Sequence, residues 1–337
     1  YAVIRSVYPS SLWAKATALV SAMWGVGTLA GPAIGGLFAQ LGAWRMAFVL
    51  LAGLGLVLAV LAPRALPRSE PSVSTDRVPL ISLALLTVAV ALISLAGLLT
   101  HPLQVTGLIL AGVLFVVGFV RWEGRAAARV LPLSTYTARS TLKWSYLVVA
   151  VLAMGTVTEA FTPLFGQRLA GLSPLAAGFL GAAVSLGWSV TMIVSSGATK
   201  PATLHRMRVG GPLVLAAGLA LTAAFQQEDA SAGVVAIWAV GLLVAGAGIG
   251  IAFPHVVVAV MSSSSDEEEA GKAAAGINTV ELIALSFGSA IGGVLVNLGA
   301  PSMLRSAQYL LFGFAAIAVV GALFARRSGP IPAKTGV

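Results

Sequence analysis

Apolar residues run through this 337-residue chain in blocks of about twenty, and single charges or short polar clusters cut the blocks apart. Nothing charged lies between Lys15 and Arg45, nor between Arg45 and Arg64. The uncharged stretch Val78–Val120 is twice that length, and Thr100, His101 and Pro102 divide it. Further runs follow at 144–166, 174–198, 209–226, 232–256, 273–297 and 306–325. A hydrocarbon core of ~30 Å takes ~20 residues of helix at ~1.5 Å rise each, so every block is one crossing. No ten-residue alternating strands occur, and an open sheet edge has no partner in lipid. The pattern predicts an all-α polytopic membrane protein with ten transmembrane helices.

Composition narrows the class. Hydrophobic residues make up 58% and charged residues 9%, with a mean hydropathy of +0.97. A soluble domain carries about 25% charged residues, so water-soluble enzymes and disordered tails are excluded. The net charge of +9 does not indicate nucleic acid, because the basic residues are scattered singly rather than gathered on one solvated face. With no cysteine, disulfides and thiolate chemistry are absent together. The charges also set direction. If the first residues are cytoplasmic and the sides alternate, 17 of the 20 Lys and Arg fall inside, and Arg45, Arg168 and Arg305 fall outside. The positive-inside rule then places both ends of the chain in the cytoplasm, in a multi-pass plasma or inner membrane protein.

A repeat organises the spans. Residues 31–43 (GPAIGGLFAQLGA) and 288–300 (GSAIGGVLVNLGA) share eight of thirteen positions at an offset of 257. Both copies enter from the same side, as in transporters whose halves are related by an axis along the membrane normal. The later copy is the fifth helix of a six-helix half at 143–326. Residues 1–66 then read as the fifth and sixth helices of a first half, followed by a linker at 67–77. Two extra central helices occupy 78–121, a second linker 122–142, and a cytoplasmic tail 327–337. By symmetry, four N-terminal helices are expected ahead of residue 12 in a fourteen-span parent.

The first span carries Gly27, Gly31 and Gly35 at four-residue spacing, with Pro32 and Gly36 beside them. Such a stripe lets a second helix approach backbone to backbone, and Pro32 bends the helix within it. This Gly-Pro-x-x-Gly-Gly helix, followed by Trp44 and Arg45, resembles the antiporter motif of the major facilitator superfamily. The two central helices resemble its 14-span drug:proton antiporter branch. Three later stretches are similar to that branch's second half: 163–178, with Pro163 and Gly171; 246–254, with its glycines and Pro254; and 270–279. The resemblance implies the major facilitator fold and proton-coupled export of hydrophobic or cationic small molecules by alternating access. Lys200, Arg206 and Arg208 match the basic part of the second-half cytoplasmic loop, but its acidic partner is missing.

Two carboxylates fall inside spans, where a charge costs ~2.5–3.5 kcal/mol on insertion scales unless it is paired, protonated or faces a cavity. Glu281 lies about 13 Å past Lys272 by helical rise, with Asn278 one turn earlier on the same face. It is a candidate proton or substrate site, or a structural hydrogen bond to a neighbouring helix. The repeat sets Trp24 opposite Glu281, where its ring can attract a cation. Glu159 is the second candidate, with pairing to Arg168 as the alternative, and Trp188 is the next cavity candidate. The acidic run 262–269 reads as a helix start that satisfies free N–H groups. Neither a metal nor a cofactor is expected: no histidine has a partner at ligand spacing and no phosphate-binding loop occurs. The expected partners are protons, a small-molecule substrate and the bilayer, with no nucleic acid. Alternatives are a carrier of siderophores, amino acids or nutrients, or an inactive fragment. A membrane-embedded enzyme lacks the polar cluster it would need.

Overall fold

Threonine hydroxyls, prolines and glycines decide where the apolar blocks bend and how closely they pack. The computed structural model describes residues 23, 26–27, 30–31, 34–65, 78–99, 101–137, 140–198, 200–263 and 267–329, and no strand occurs among them. Helix α1 is Arg45–Ala65, α2 Leu80–Ala96 and α3 Pro102–Glu123, followed by a 3₁₀ turn at Leu133–Tyr136. The remainder are α4 (Leu142–Thr156), α5 (Thr158–Ala170), α6 (Pro174–Ser195), α7 (Pro201–Ala224), α8 (Ala232–Met261), α9 (Glu267–Gly299) and α10 (Met303–Arg327). Among the described residues, eight segments are long and apolar enough to cross a membrane, with α4 and α5 forming one of them. Helix α2 is apolar but 17 residues long. The first predicted span lies partly outside the described residues.

Boundaries differ from the charge-based reading at three places. The run 144–166 is interrupted at Val157, where the Thr156 and Thr158 hydroxyls donate to the carbonyls of Ala153 (2.7 Å) and Gly155 (2.9 Å). Such back-bonding loosens the backbone ladder. Helix α7 starts at Pro201 rather than 209, because proline suits the first helical position, so Arg206 and Arg208 are helical and not in a loop. Helix α9 starts at Glu267, six residues before the apolar run at 273 and inside the acidic stretch 262–269 that reads as a helix start.

The buried core lies within α4–α10, and the tightest packing sets α8 between α6 and α7. In lipid, where apolar side chains gain nothing by leaving the solvent, close backbone approach has to hold helices together. A methyl group added at Gly246 would overlap the Val184 carbonyl of α6, and one at Gly248 the Gly211 carbonyl of α7. Helix α8 therefore has glycine on both working faces. Hydroxyls bridge the α6–α8 contact, from Thr191 to the Ala247 carbonyl (3.2 Å) and from Ser195 to that of Gly250 (2.8 Å).

The α2–α3 hairpin, outside the sequence repeat, is seated on α9. Ile93, Ala96 and Val105 cluster with Ala290 and Val294, and Asn297 donates to the Leu99 carbonyl at 2.6 Å. At the other end of the hairpin, Glu123 is fully buried and accepts from four donors. These are the Ser82 hydroxyl (2.5 Å), the Tyr136 phenol (2.9 Å) and the backbone N–H groups of Val130 (3.0 Å) and Leu131 (3.4 Å). Burial, and then the adjacent Glu123 charge, hold the Tyr136 phenol well above its ordinary value of 10.0. Helix α1 has no buried window and lies at the edge of the assembly.

Candidate functional site

The hairpin joining α5 and α6 is built by three residues in sequence. Gly171 takes the left-handed conformation (φ 60°) that ends α5, and Leu172 N–H closes onto the Gly166 carbonyl at 3.2 Å. Ser173 then caps α6 by accepting from Ala176 N–H at 3.3 Å, with Pro174 at the first helical position. The two helices are thereby locked antiparallel. Pro163 lacks the N–H that would bond the carbonyl of Glu159 four residues back. Gly181 of α6 lies against this freed carbonyl: an added methyl would sit 3.2 Å from it and 3.0 Å from the Pro163 ring. One turn further along α6, the buried Ser185 hydroxyl donates to the Glu159 carboxylate.

Glu159 is thus a half-buried acid within an apolar span, held by one neutral hydroxyl. Its hydrogen-bond partner is Ser185 rather than Arg168, which lies about 13 Å further along α5 by helical rise. The pairing suggested from sequence fails because Arg168, in the last turn, is at the far end of the helix.

Glu281 is half-buried on α9. It lies two turns before Gly288, on the stripe that continues to Gly292. That stripe packs on the α4–α5 span: a methyl at Gly288 would meet Val157 and Met154, and one at Gly292 would meet Phe161. No hydrogen bond joins Glu281 to Asn278 among the described residues, and Asn278 is exposed. Three residues of helical rotation leave the two side chains diverging by ~60°, enough to part short polar groups. Taking the Gly288 contacts as a common level, Glu281 and Glu159 are separated by on the order of 15 Å along the bundle. Glu159 also lies on the opposite side of α5 from Val157, facing α6. The two acids are separate sites, and among the described residues no three His, Asp or Glu side chains gather to hold a metal.

A sequence profile of the Major Facilitator Superfamily matches residues 1–289. The chain belongs to this superfamily. It is similar to the probable multidrug-efflux transporter Rv1634 of Mycobacterium tuberculosis, 44% identical over 330 residues, covering 96% of this chain and 70% of the relative. It is also similar to the tetracenomycin C resistance and export protein of Streptomyces glaucescens, 26% identical over 334 residues, covering 98% of this chain and 56% of that protein. The chain is therefore a multi-pass membrane transporter of the major facilitator fold, and its relatives are transporters rather than enzymes.

The remaining expected transporter residues fall into place unevenly. Trp24 and Pro32 lie outside the described residues. Gly27, Gly31 and Gly35 face no neighbour within 4 Å of an added methyl, so the close helix contact predicted for this stripe is not made among the described residues. Gly36 does meet another helix: a methyl there would sit 2.7 Å from the Leu175 Cα of α6. The repeat's later copy shows the stripe closed, through Gly288 and Gly292. Lys200 and Arg206 are exposed, whereas Arg208 is buried. Arg208 donates to the Ser328 hydroxyl (3.1 Å) and the Gly329 carbonyl (2.6 Å), capping the carbonyl end of α10. Trp188 packs edge-on to Phe253 of α8 at 5.9 Å, as a helix-packing residue does.

Sequence reasoning missed Ser185, Glu123 and the paired glycines Gly187, Gly211 and Gly218. Serine in an apolar helix carries no signal of its own. The one usable hint for Ser185 was its position one turn past Gly181.

Proposed function

We propose that this chain is the secondary active part of a proton-coupled exporter of hydrophobic or cationic small molecules, working by alternating access between two six-helix halves. Residues 143–326 form the second half in this reading, and the lysine- and arginine-rich span ends face the cytoplasm. The observation that carries it is the state of Glu159. Glu123, with four donors on its carboxylate, is a satisfied structural acid. Glu159, inside a span, has one neutral donor and no cation paired with it among the described residues. An intramembrane acid in that condition is suited to take up and release a proton or to attract a cationic substrate. Glu281, on the α9 stripe, is the second such acid. The multidrug-efflux and antibiotic-export names of the relatives support the substrate class.

The test is everted membrane vesicles carrying the protein, an imposed pH gradient and a lipophilic cationic dye. Gradient-driven dye uptake is expected in the parent and is lost in Glu159→Gln and Glu281→Gln, with both variants inserted at normal abundance. Unchanged uptake in both variants would overturn the assignment of the two acids, and no gradient-driven uptake in the parent would overturn proton coupling.

A further inference from the structure

We propose that the Glu123 end of α3 carries a binding site for the headgroup of an anionic phospholipid, formed by Arg121, Trp122 and Arg125 around Gly118. These residues line a cavity of about 290 Å³ with Ala126. Among the described residues this side of α3 is uncovered: only 11% of its apolar stretch is buried, and Leu110, Leu114 and Val117 are exposed in line with the cavity. The order along the helix follows a phospholipid molecule from tail to head. Exposed aliphatic side chains come first. Gly118 then leaves a gap, with nothing within 4 Å of an added methyl. Arg121 and Arg125, one turn apart on one face, come last, with Trp122 between them at the depth where indole rings border headgroups.

Three observations say that the charge is available. Arg121, Trp122 and Arg125 are exposed. Among the described residues, neither guanidinium has a protein acceptor. The nearest acid, Glu123, is turned inward and fully buried, its carboxylate taken by Ser82, Tyr136, Val130 and Leu131. The pocket therefore keeps two unneutralised guanidinium forks, whose planar geometry matches a phosphate diester bidentately. A free phosphate shares that headgroup chemistry, but it has no use for the aliphatic track through Gly118.

The test uses the full chain purified in a non-ionic detergent. Native mass spectrometry follows the retention of dioleoylphosphatidylglycerol, dioleoylphosphatidylcholine and inorganic phosphate. The expected result is selective retention of phosphatidylglycerol, weakened on the order of 25-fold by the pair Arg121→Gln and Arg125→Gln. A charge-matched pair, Arg64→Gln and Arg326→Gln, retains the lipid as the parent does. The pair Arg121→Lys and Arg125→Lys retains part of the binding, showing that charge and not misfolding is lost. Equal retention of phosphatidylglycerol by the parent and the Gln pair would overturn the site. Phosphatidylcholine held as tightly as phosphatidylglycerol would overturn its charge selectivity. Inorganic phosphate displacing the lipid at equal concentration would overturn the assignment to lipid.

Discussion

Removing the Glu123 carboxylate should free the segment that follows α3 from the rest of the bundle. In Glu123→Ala the Ser82 hydroxyl, itself fully buried, loses its 2.5 Å acceptor, and Tyr136 and Val130 lose acceptors at 2.9 and 3.0 Å. Hydrogen bonds to a charged group contribute about 1.5–3 kcal/mol each, and buried donors left unpaired cost about 1–3 kcal/mol each. The desolvation cost of the carboxylate, no longer incurred, offsets part of this. The net loss for the alanine variant is about 3–5 kcal/mol. Glu123→Gln keeps one acceptor oxygen but turns an NH₂ toward donors, for about 1–3 kcal/mol. Ser82→Ala and Tyr136→Phe each remove one donor and leave the others, for about 1 kcal/mol. Polytopic proteins rarely unfold in two states, so the readout is local: the rate of tryptic cleavage after Arg125 and Arg129 in native membranes. If cleavage follows transient opening, about 3 kcal/mol predicts on the order of a 100-fold faster rate in Glu123→Ala. Ser82→Ala combined with Tyr136→Phe should show non-additive coupling through the shared carboxylate. An alanine variant cleaved within twofold of the parent would refute this account of the segment.

Three further outcomes are expected. The Tyr136 phenol is raised, so the stability of its segment is intact below pH 10 and falls as pH rises beyond the ordinary tyrosine value; a tyrosine class titrating late in ultraviolet difference spectra, smaller by one phenol in Tyr136→Phe, checks this. Gly246→Val forces α8 off the Val184 carbonyl of α6 and should cost about 3 kcal/mol or more, read as a lower thermal midpoint in detergent, whereas Gly27→Ala, facing open space, should leave it unchanged. Arg208→Ala leaves the Gly329 carbonyl and Ser328 hydroxyl without their partner and should cost about 1–3 kcal/mol, seen as faster deuterium exchange at 325–329 with exchange in α8 unaltered.

Charge spacing made most of the span pattern legible, because in lipid a single arginine between apolar blocks fixes a boundary. The break at Thr100, His101 and Pro102 carries no Lys, Arg, Asp or Glu and was legible from the proline, which suits a helix start: the structure ends α2 at Ala96 and starts α3 at Pro102. The reading went astray where a charge is not at a boundary. Arg208 lies inside α7 because the end of α10 supplies its acceptors, a partner 120 residues away that local sequence does not show. Glu123 reads as one more charge in a basic linker and is the most thoroughly satisfied acid described. The glycines of 246–250 were visible as a cluster. Their partners, Val184 and Trp188 on α6 and Gly211 and Leu215 on α7, were not, because they lie on other helices and carry no spacing that ties them to 246–250.

Glu123, Glu159 and Glu281 separate by what their surroundings supply rather than by depth or neighbours in sequence. Glu123 ends a span and is closed by four donors from three segments, so neutralising it removes structure. Glu159 sits where Thr158 back-bonding and Pro163 have loosened the helix, and a single serine on the adjoining helix holds it. Glu281 lies on the glycine stripe that packs against the same interrupted span, about three turns nearer its α4 end. Glu159 therefore belongs to the α4–α5 span and Glu281 to the helix packed against it, and the break at Val157 lies between their levels. A change in the angle at that break would alter the surroundings of each acid through packed neighbours, Gly181 for Glu159 and Gly288 for Glu281. A rigid, fully satisfied acid such as Glu123 offers no such coupling, because every donor it needs is already fixed in place.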